Sequence, residues 1–346
     1  MKHQTTRYGE IPFYKIGTFG NTADAFISKK LFLEYKTKYS FPKKGDILIS
    51  ASGTIGRAVI YDGKPAYFQD SNIVWIDNDE TLVKNDFLFY AYSNVKWNTE
   101  HTTILRLYND NFRNTLIPLP PLNEQSAIAN ILSALDRYLY ALDALILKKE
   151  GVKKALSFEL LSQRKRLKGF NQTWQRVRLG DIANYLTSNL SAEQITQQGK
   201  IKVYDVNNFI GYTDTTFISD KPYISIVKDG SVGRVRILPP KTNILSTMGA
   251  LIANHKTTTE FLFYLLSNFD FKNFTSGSII PHIYFKDYKE KTIFLPPLNE
   301  QSAIANILSD LDNEIASLKN KKRQFENIKK ALNHDLMSAK IRVLKK

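Results

Sequence analysis

Two short segments bounded by glycine bring hydroxyl, backbone amide and arginine groups together. SGTIGR occupies residues 52–57, and DGSVGR occupies residues 229–234. On an exposed turn, hydroxyls and amides suit phosphate oxygens, and arginine can donate two hydrogen bonds to the edge of a guanine. These groups predict contacts with DNA. The residues concerned are Ser52, Thr54 and Arg57 in the first segment, and Lys228, Ser231, Arg234 and Arg236 in and around the second.

A second group of polar residues follows each segment further along the chain. Side-chain amides suit adenine, while cationic and hydroxyl groups suit phosphate. For any single position an ordinary surface residue is the better explanation, but two clusters at equivalent places are stronger evidence for DNA binding. After the first segment they are Gln69, Asn72, Arg106, Tyr108, Asn109, Asn111 and Arg113, and after the second Ser276, Ser278, His282, Tyr284 and Lys286.

Signatures of catalysis are missing from the sequence. It contains no GxxxxGK[ST] phosphate loop, no GxGxxG segment and no HExxH helix, and its five histidines are not spaced as metal ligands. Asp24, Glu34 and Lys36 follow the order of a metal-dependent nuclease core, but this pattern is loose and has no counterpart in the second half. We therefore predict a solvated surface there, no catalytic residue, no metal ligand and a protein that is not an enzyme.

The charge balance indicates a polyanionic partner. Lys and Arg number 48 against 33 Asp and Glu, which gives a net charge of +15. Nucleic acid is the favoured partner, because each cation placed on a phosphate releases a condensed counterion. The chain has no cysteine and no apolar run long enough to span a bilayer, so we expect a cytoplasmic protein without a membrane partner.

The sequence repeats itself. LPPLNEQSAIANILS occurs at residues 119–133 and again at 295–309 without a difference. Weaker similarity at nearly the same spacing extends upstream to the two glycine-bounded segments and downstream to GVKKALSFELLSQRKRL and NIKKALNHDLMSAKIRV. The chain therefore contains two copies of one unit, each with a variable part followed by a nearly invariant part.

The nearly invariant part predicts a long helix in each copy. Paired prolines cannot lie inside a helix, so Asn123 and Asn299 just after them are the expected N-caps. The apolar residues that follow alternate at intervals of four and three, as in a coiled coil, and about 40 residues would extend roughly 60 Å. They are Ile128, Leu132, Leu135, Leu139, Leu142, Ile146, Ile304, Leu308, Leu311, Ile315, Leu318 and Phe325. We expect antiparallel pairing of the two helices, with an irregularity near Gly151; the alternative is that each packs only on its own domain.

The variable parts predict mixed α/β domains. Short β-branched runs with glycine between them indicate strands, and NDFLFYAYS and TTEFLFYLLSNFD indicate a helix in each copy. The predicted fold class is α+β, with two mixed domains joined by two long helices in a pseudo-two-fold repeat. The predicted boundaries are 1–120 for the first domain, 121–168 for the first helix, 169–297 for the second domain and 298–346 for the second helix.

The order of variable domain and LPPLNEQSAI helix, twice over, resembles the specificity subunit of type I restriction-modification systems, as do GDILISASGTIGR and SGSIIPHIYFKDYKEKTIFLPPLNEQ. The resemblance implies that each variable domain is a target recognition domain that binds one half of a bipartite site in double-stranded DNA. It also implies that the helices space the domains and dock two methyltransferase subunits, which bind S-adenosylmethionine, and two restriction subunits that translocate and cleave DNA. No cofactor is expected in this chain itself.

One departure and two alternatives accompany this interpretation. NQTWQRVRLGDIANYLTS leads into the second domain, whereas the first domain starts almost directly at YGEIPFYKIGTFG, so we expect it to be shortened or covered by the segment IRVLKK at 341–346. The alternative functions are a metal-dependent DNA nuclease and a stand-alone DNA-binding coiled-coil scaffold. Cleavage abolished by Glu34→Ala would favour the nuclease, and DNA binding that is insensitive to salt or absent in the assembled state would favour the scaffold.

Overall fold

The computed structural model describes residues 4–68, 72–97 and 106–344, and the chain divides into two compact units. Unit 1 comprises residues 1–143 and 320–346, and unit 2 comprises residues 144–319. The divisions fall inside two long helices. Each unit therefore holds one mixed domain and a part of both helices, and the α+β fold class predicted from the sequence is confirmed.

The described residues of unit 1 begin with six strands and three shorter helices. They are β1 (Ile11–Tyr14), β2 (Ala25–Ile27), α1 (Lys29–Lys38), β3 (Ile47–Ser50), β4 (Ala58–Ile60), β5 (Tyr67–Phe68), β6 (Ile73–Trp75), α2 (Asn85–Tyr92) and α3 (Asn109–Arg113). The strands form two sheets in the orders β2-β1-β5 and β4-β3-β6. All four residues of β3 are buried, and Ile47 and Ile49 pack against Leu88 and Tyr92 of α2.

Unit 2 repeats this arrangement with additional strands. After helix α4 (Leu122–Leu161) come β7 (Gln175–Arg178), β8 (Ala183–Thr187), β9 (Ile201–Tyr204), β10 (Phe209–Thr213), β11 (Tyr223–Val227), β12 (Val235–Leu238), β13 (Asn243–Ile244), β14 (Met248–Ala253), α5 (Thr259–Ser267), β15 (Thr275–Ser276), β16 (His282–Ile283), α6 (Phe285–Tyr288), β17 (Thr292–Leu295) and helix α7 (Leu298–Met337). The orders β10-β9-β13 and β12-β11-β14-β8 correspond to the two sheets of unit 1. Two further pairs, β15-β16 and β17-β7, complete the unit.

The two long helices run antiparallel within each unit. In unit 1, Lys322 and Lys329 of α7 form ion pairs with Asp143 and Asp136 of α4, in opposite chain directions. In unit 2, Lys319 binds Glu150 across the same pair of helices, at 2.6 Å. No helix within the described residues has the length and apolar character that crossing a membrane requires.

The apolar seam predicted from the sequence lies inside these helix pairs. In unit 1 the rings of Tyr138 and Phe325 lie 4.7 Å apart, and Leu132 packs with Leu336 and Met337. Seven of the twelve predicted seam residues are buried, namely Ile128, Leu132, Leu142, Ile146, Ile304, Leu308 and Ile315. The other five, Leu135, Leu139, Leu311, Leu318 and Phe325, are half-buried.

Two expectations about the helices are wrong. Asn123 and Asn299 are not N-caps, because the helices begin at Leu122 and Leu298 and already include them. The carbonyl of Pro121 or Pro297 accepts the first helical hydrogen bond. The irregularity expected near Gly151 is absent, since α4 is helical without a break from Leu122 to Leu161. A single glycine costs a long helix only about 1 kcal/mol, which the packed faces on either side offset.

Candidate nucleic-acid interface

The two glycine-bounded turns have the same backbone conformation. In unit 1 the amide of Gly56 donates to the carbonyl of Ser50 at 3.0 Å, and in unit 2 Gly233 donates to Val227 at 2.9 Å. Both glycines have positive φ angles, +83° and +80°, which other residues rarely adopt. Each turn therefore closes in the same way between two antiparallel strands, β3 and β4 or β11 and β12.

An aromatic ring explains why no side chain is tolerated at the second glycine. A Cβ atom on Gly56 would lie 2.3 Å from Nε1 of Trp97, and one on Gly233 would lie 2.6 Å from a ring carbon of Phe271. In both units the ring belongs to the segment just after the helix of the mixed domain, α2 for Trp97 and α5 for Phe271. This support fixes the position of the arginine that follows.

Arg57 and Arg234 follow these glycines and are exposed. One guanidinium nitrogen of Arg57 donates to the carbonyl of Phe19 at 2.9 Å, which leaves its other donors available. The guanidinium of Arg234 makes no hydrogen bond or ion pair with other described residues. Both arginines can therefore donate to a nucleic acid without breaking the fold.

In unit 1 the turn is joined to two segments distant in sequence. The amide of Ala51 donates to the carbonyl of Asn72 at 2.8 Å, and the amide of Leu107 donates to the carbonyl of Ala51 at 2.8 Å. Ser52 and Arg106 consequently face each other in an isolated antiparallel bridge. The structure therefore brings Asn72 and Arg106, both predicted from the sequence, beside the glycine-bounded turn.

Unit 2 contains the equivalent junction. The amide of Gly230 donates to the carbonyl of Pro281, and the amide of Ile283 donates to the carbonyl of Lys228, both at 2.9 Å. Asp229 and His282 occupy the bridge, and their side chains meet with Nδ1 of the imidazole 2.6 Å from a carboxylate oxygen. The turn and the junction in each unit thus bring polar and cationic groups together, which is a combination that suits DNA.

This geometry can be set beside known proteins. A sequence model of the type I restriction modification DNA specificity domain matches residues 1–149 and 171–327, one match for each repeat. The chain belongs to the type I restriction modification DNA specificity family. The internal repeat and the paired helices are therefore features of a specificity-family chain.

Relatives in this family align with different shares of the chain. A putative type I restriction enzyme specificity subunit of Haemophilus influenzae is 65% identical over 133 residues, which cover 38% of this chain and 34% of that protein. A putative type I restriction enzyme specificity subunit of Methanocaldococcus jannaschii is 28% identical over 335 residues, which cover 86% of this chain and 79% of that protein. The chain thus spans about a third of the Haemophilus relative and most of the archaeal one.

Solved structures in the family share the fold. The S subunit of a type I restriction-modification system from M. genitalium matches with a TM-score of 0.62 and 21% identity, over 97% of this chain and 91% of that one. A chain from a structure of type I complex assembly and conformational transition matches with a TM-score of 0.58 and 16% identity, over 94% and 91%. At 21% and 16% identity the similarity establishes the fold alone, so the roles of individual residues have to be inferred from the geometry of this chain.

Most of the DNA-contact residues predicted for this specificity-family chain lie on its surface. The exposed ones are Thr54, Arg57, Arg106, Tyr108, Asn109 and Arg113 in unit 1, and Ser231, Arg234, Ser276, Ser278, Tyr284 and Lys286 in unit 2. Asn72, Lys228 and His282 are half-buried at the two junctions. Gln69 lies outside the described residues.

Three predicted residues serve the fold itself. The expectation of an exposed hydroxyl at Ser52 is wrong, because this residue is buried and its hydroxyl donates to the amide oxygen of Asn72 at 2.7 Å. The side-chain oxygen of Asn111 accepts from the amide of Tyr108 and so caps α3. Half-buried Arg236 donates to the carbonyl of Asn207 at 2.8 Å. Their roles in DNA binding remain predictions, and these side chains are less free to contact DNA than the exposed ones because the fold already holds them.

Sequence analysis missed the role of the glutamine in the repeated NEQ segment. Gln125 is fully buried, and its side chain donates to the carbonyls of Leu82 and Pro120 and accepts from the amide of Lys84. Gln301 makes the same contacts in unit 2 with Lys256, Pro296 and Thr258. This residue fixes the start of each long helix to the loop that precedes α2 or α5, and its identity in both copies was the available signal.

The glutamate just before it, Glu124 or Glu300, binds residues that follow the other long helix. Glu300 accepts from both sides of the Arg166 guanidinium and from the indole of Trp174 at 2.9 Å. Glu124 accepts from Arg342 in the same bidentate manner, at 3.3 and 2.6 Å. Hydrogen bonds from Arg342 lower the pKa of the Glu124 carboxyl below its ordinary value. In each unit the repeated glutamate therefore joins the start of one long helix to the segment that follows the other.

The residues of the nuclease-like pattern do not form a metal site in the described chain. Asp24 binds Lys15 at 2.7 Å, and Glu34 lies on α1. Among residues 4–68, 72–97 and 106–344, no group of three or more His, Cys, Asp and Glu side chains is placed to hold a metal ion.

Proposed function

We propose that this chain recognises a bipartite site in double-stranded DNA, with one unit for each half-site, and is itself non-catalytic. The observation that carries the proposal is the turn junction that recurs in both units. Its backbone is the same in each, whereas the side chains it presents differ, with Arg106 at the position that His282 occupies in unit 2. Equal scaffolds with unequal side chains suit two different half-sites, and the net charge of +15 supports a polyanionic partner.

We further propose that the long helices dock two methyltransferase subunits and that the assembly also recruits two restriction subunits. The identical segment exposes the same polar residues at the start of both helices, Asn123, Ser126 and Asn130 in α4 and Asn299, Ser302 and Asn306 in α7. Two copies of one surface can bind two copies of one partner. S-adenosylmethionine would then be held by the methyltransferase partner.

Mapping of methylated bases tests this function. The chain would be co-expressed with the methyltransferase subunit encoded beside its gene, and methylated adenines would be mapped across the host DNA by single-molecule sequencing. The expected result is a split motif with two specified halves around a fixed unspecified gap. A stable complex without any sequence preference would contradict the proposal, as would the failure of any complex to form.

Arginine variants sharpen the test. Arg57→Ala and Arg234→Ala should each relax one half-site, by about 1–3 kcal/mol of discrimination if the guanidinium binds a guanine edge. Arg176→Ala removes the same charge from an exposed position on β7, outside both junctions and both long helices, and is the matched control. Equal weakening on all DNA sequences by the first two variants would mean that these arginines bind phosphates and do not select bases.

A further inference from the structure

The pair formed by Asp229 and His282 lies at the junction of unit 2. Backbone hydrogen bonds on both sides of the bridge hold the two residues in place, from Gly230 to Pro281 and from Ile283 to Lys228. The His282 ring lies nearly parallel to the ring of Tyr284, with an interplanar angle of 20° and 6.4 Å between centroids. The position of the imidazole is therefore set by the fold before any ligand binds.

The chemistry of the pair determines what the imidazole can do. A carboxylate accepts hydrogen bonds and cannot donate them, so the proton of the neutral ring lies on Nδ1, which is 2.6 Å from the Asp229 carboxylate. Nε2 is then left as a hydrogen-bond acceptor. It has no hydrogen-bond partner among the described residues, and 36% of the His282 side chain is exposed.

We propose that His282 is a base-selecting residue of unit 2 and that Asp229 is the residue that positions it and sets its tautomer. An acceptor at Nε2 is matched in the major groove only by the amino groups of adenine and cytosine, because every other polar group there accepts. The inference rests on the proposed function and extends it to one base pair. Unit 2 would prefer adenine or cytosine over guanine or thymine at the position that His282 faces.

Unit 1 has the opposite hydrogen-bonding character at the equivalent place. Ser52 stands where unit 2 has Asp229, and Arg106 stands where unit 2 has His282. The exposed guanidinium of Arg106 can only donate, so it suits the acceptor edge of guanine or a phosphate. The same backbone junction thus presents a donor in one unit and an acceptor in the other, which would make the two half-sites differ at corresponding positions.

Selection from DNA libraries tests the inference with the chain in complex with its methyltransferase subunit. The half-site assigned to unit 2 would be randomised, and bound or methylated sequences would be counted for the wild type, His282→Ala, Asp229→Asn and Asp229→Glu. His282→Ala should lower the preference for adenine or cytosine at one base pair by about tenfold. Asp229→Asn should do the same, because an amide permits either imidazole tautomer, whereas Asp229→Glu should retain part of the preference.

Controls separate base selection from loss of structure. Asp220→Asn removes one negative charge from an exposed loop of unit 2 and should leave the selected sequences unchanged. The half-site bound by unit 1 should stay intact in every variant, which shows that the complex is folded. A change confined to one base pair supports the inference, because a purely structural role would alter binding to all sequences alike.

Other outcomes overturn it. If the wild type selects a split motif and both His282→Ala and Asp229→Asn leave that motif unchanged, or weaken all sequences equally, His282 does not select a base and the proposed function still stands. If the wild type selects no split motif at all, the proposed function fails and this inference fails with it.

Discussion

Leu119 and Leu295 hold the same place in the fifteen-residue repeat, yet Leu119 is 53% exposed and Leu295 only 5%. In unit 2, β17 pairs antiparallel with β7, so that Leu295 lies opposite Gln175 and joins the core around Trp174. Within the described residues no strand pairs with 116–119 in unit 1. Burial at this point therefore depends on a neighbouring strand, and identical residues contribute differently to the two units.

At equivalent positions outside the fifteen-residue repeat the two units agree. Tyr90 donates to Asp136 and Tyr264 donates to Asp312, which ties α2 to α4 in unit 1 and α5 to α7 in unit 2. In both cases burial, followed by the hydrogen bond to the aspartate, raises the pKa of the tyrosine hydroxyl. The two units thus share the attachment of domain to helix, whereas among the described residues only unit 2 has a strand, β7, that pairs with the start of the repeat.

Replacement of Trp174 should cause the largest loss of stability. The side chain is buried in the core of unit 2, and its indole donates to Glu300. Trp174→Ala should reduce the unfolding free energy by about 3–5 kcal/mol, through lost burial and an unfilled cavity. Hydrogen exchange followed by mass spectrometry would report the loss in unit 2 and little change in unit 1. Trp174→Phe, which keeps most of the ring volume, should lose less; equal losses for both variants would contradict this account.

The two leucines form a matched pair for the comparison itself. Leu295→Ala should cost about 2–5 kcal/mol, as other buried leucines do, whereas Leu119→Ala should stay within about 0.5 kcal/mol of the wild type. Local unfolding free energies from hydrogen exchange would measure both effects in their own units. Similar costs at the two positions would show that Leu119 is covered in solution and that the units are more alike than the structure indicates.

The two glutamines test what the units share. Gln125→Ala and Gln301→Ala each leave buried backbone groups without partners, so each should cost about 1–3 kcal/mol. The losses should be similar in size and confined to unit 1 and unit 2 respectively. Ser126→Ala and Ser302→Ala are the controls, because each serine is the next residue along the helix and is exposed. A large cost in one unit only would mean that the repeated attachment is not equivalent in the two.

Sequence reasoning was most successful where a signal was local. The seam residues from Ile128 onward followed a heptad pattern, and the glycines of SGTIGR and DGSVGR marked turns whose positive φ angles require them. The repeat itself indicated that both copies would fold alike. These features depend on neighbours in sequence, which is why a single sequence sufficed to predict them.

The errors arose where partners are distant in sequence. Ser52 was expected to be exposed, but its hydroxyl is taken by Asn72, twenty residues away, in a junction completed by Arg106. The partnership of Asp229 with His282 spans 53 residues and left no local pattern. Tertiary pairing of this kind is not encoded in the spacing of either residue alone.

The pH dependence of the stability of unit 1 provides the last and smallest test of the comparison. Because hydrogen bonds from Arg342 lower the pKa of Glu124 below its ordinary value of 4.5, the folded state favours the carboxylate. Its stabilising contribution is therefore present above pH 4.5 and is lost as the pH falls through the lowered folded value. Glu124→Gln should be less stable than the wild type at pH 7, and the difference should shrink progressively in acid. Denaturant unfolding at several pH values would measure it, with Glu34→Gln on the exposed face of α1 as the control. A difference that does not change with pH would mean that the ion pair with Arg342 contributes nothing to the stability of unit 1.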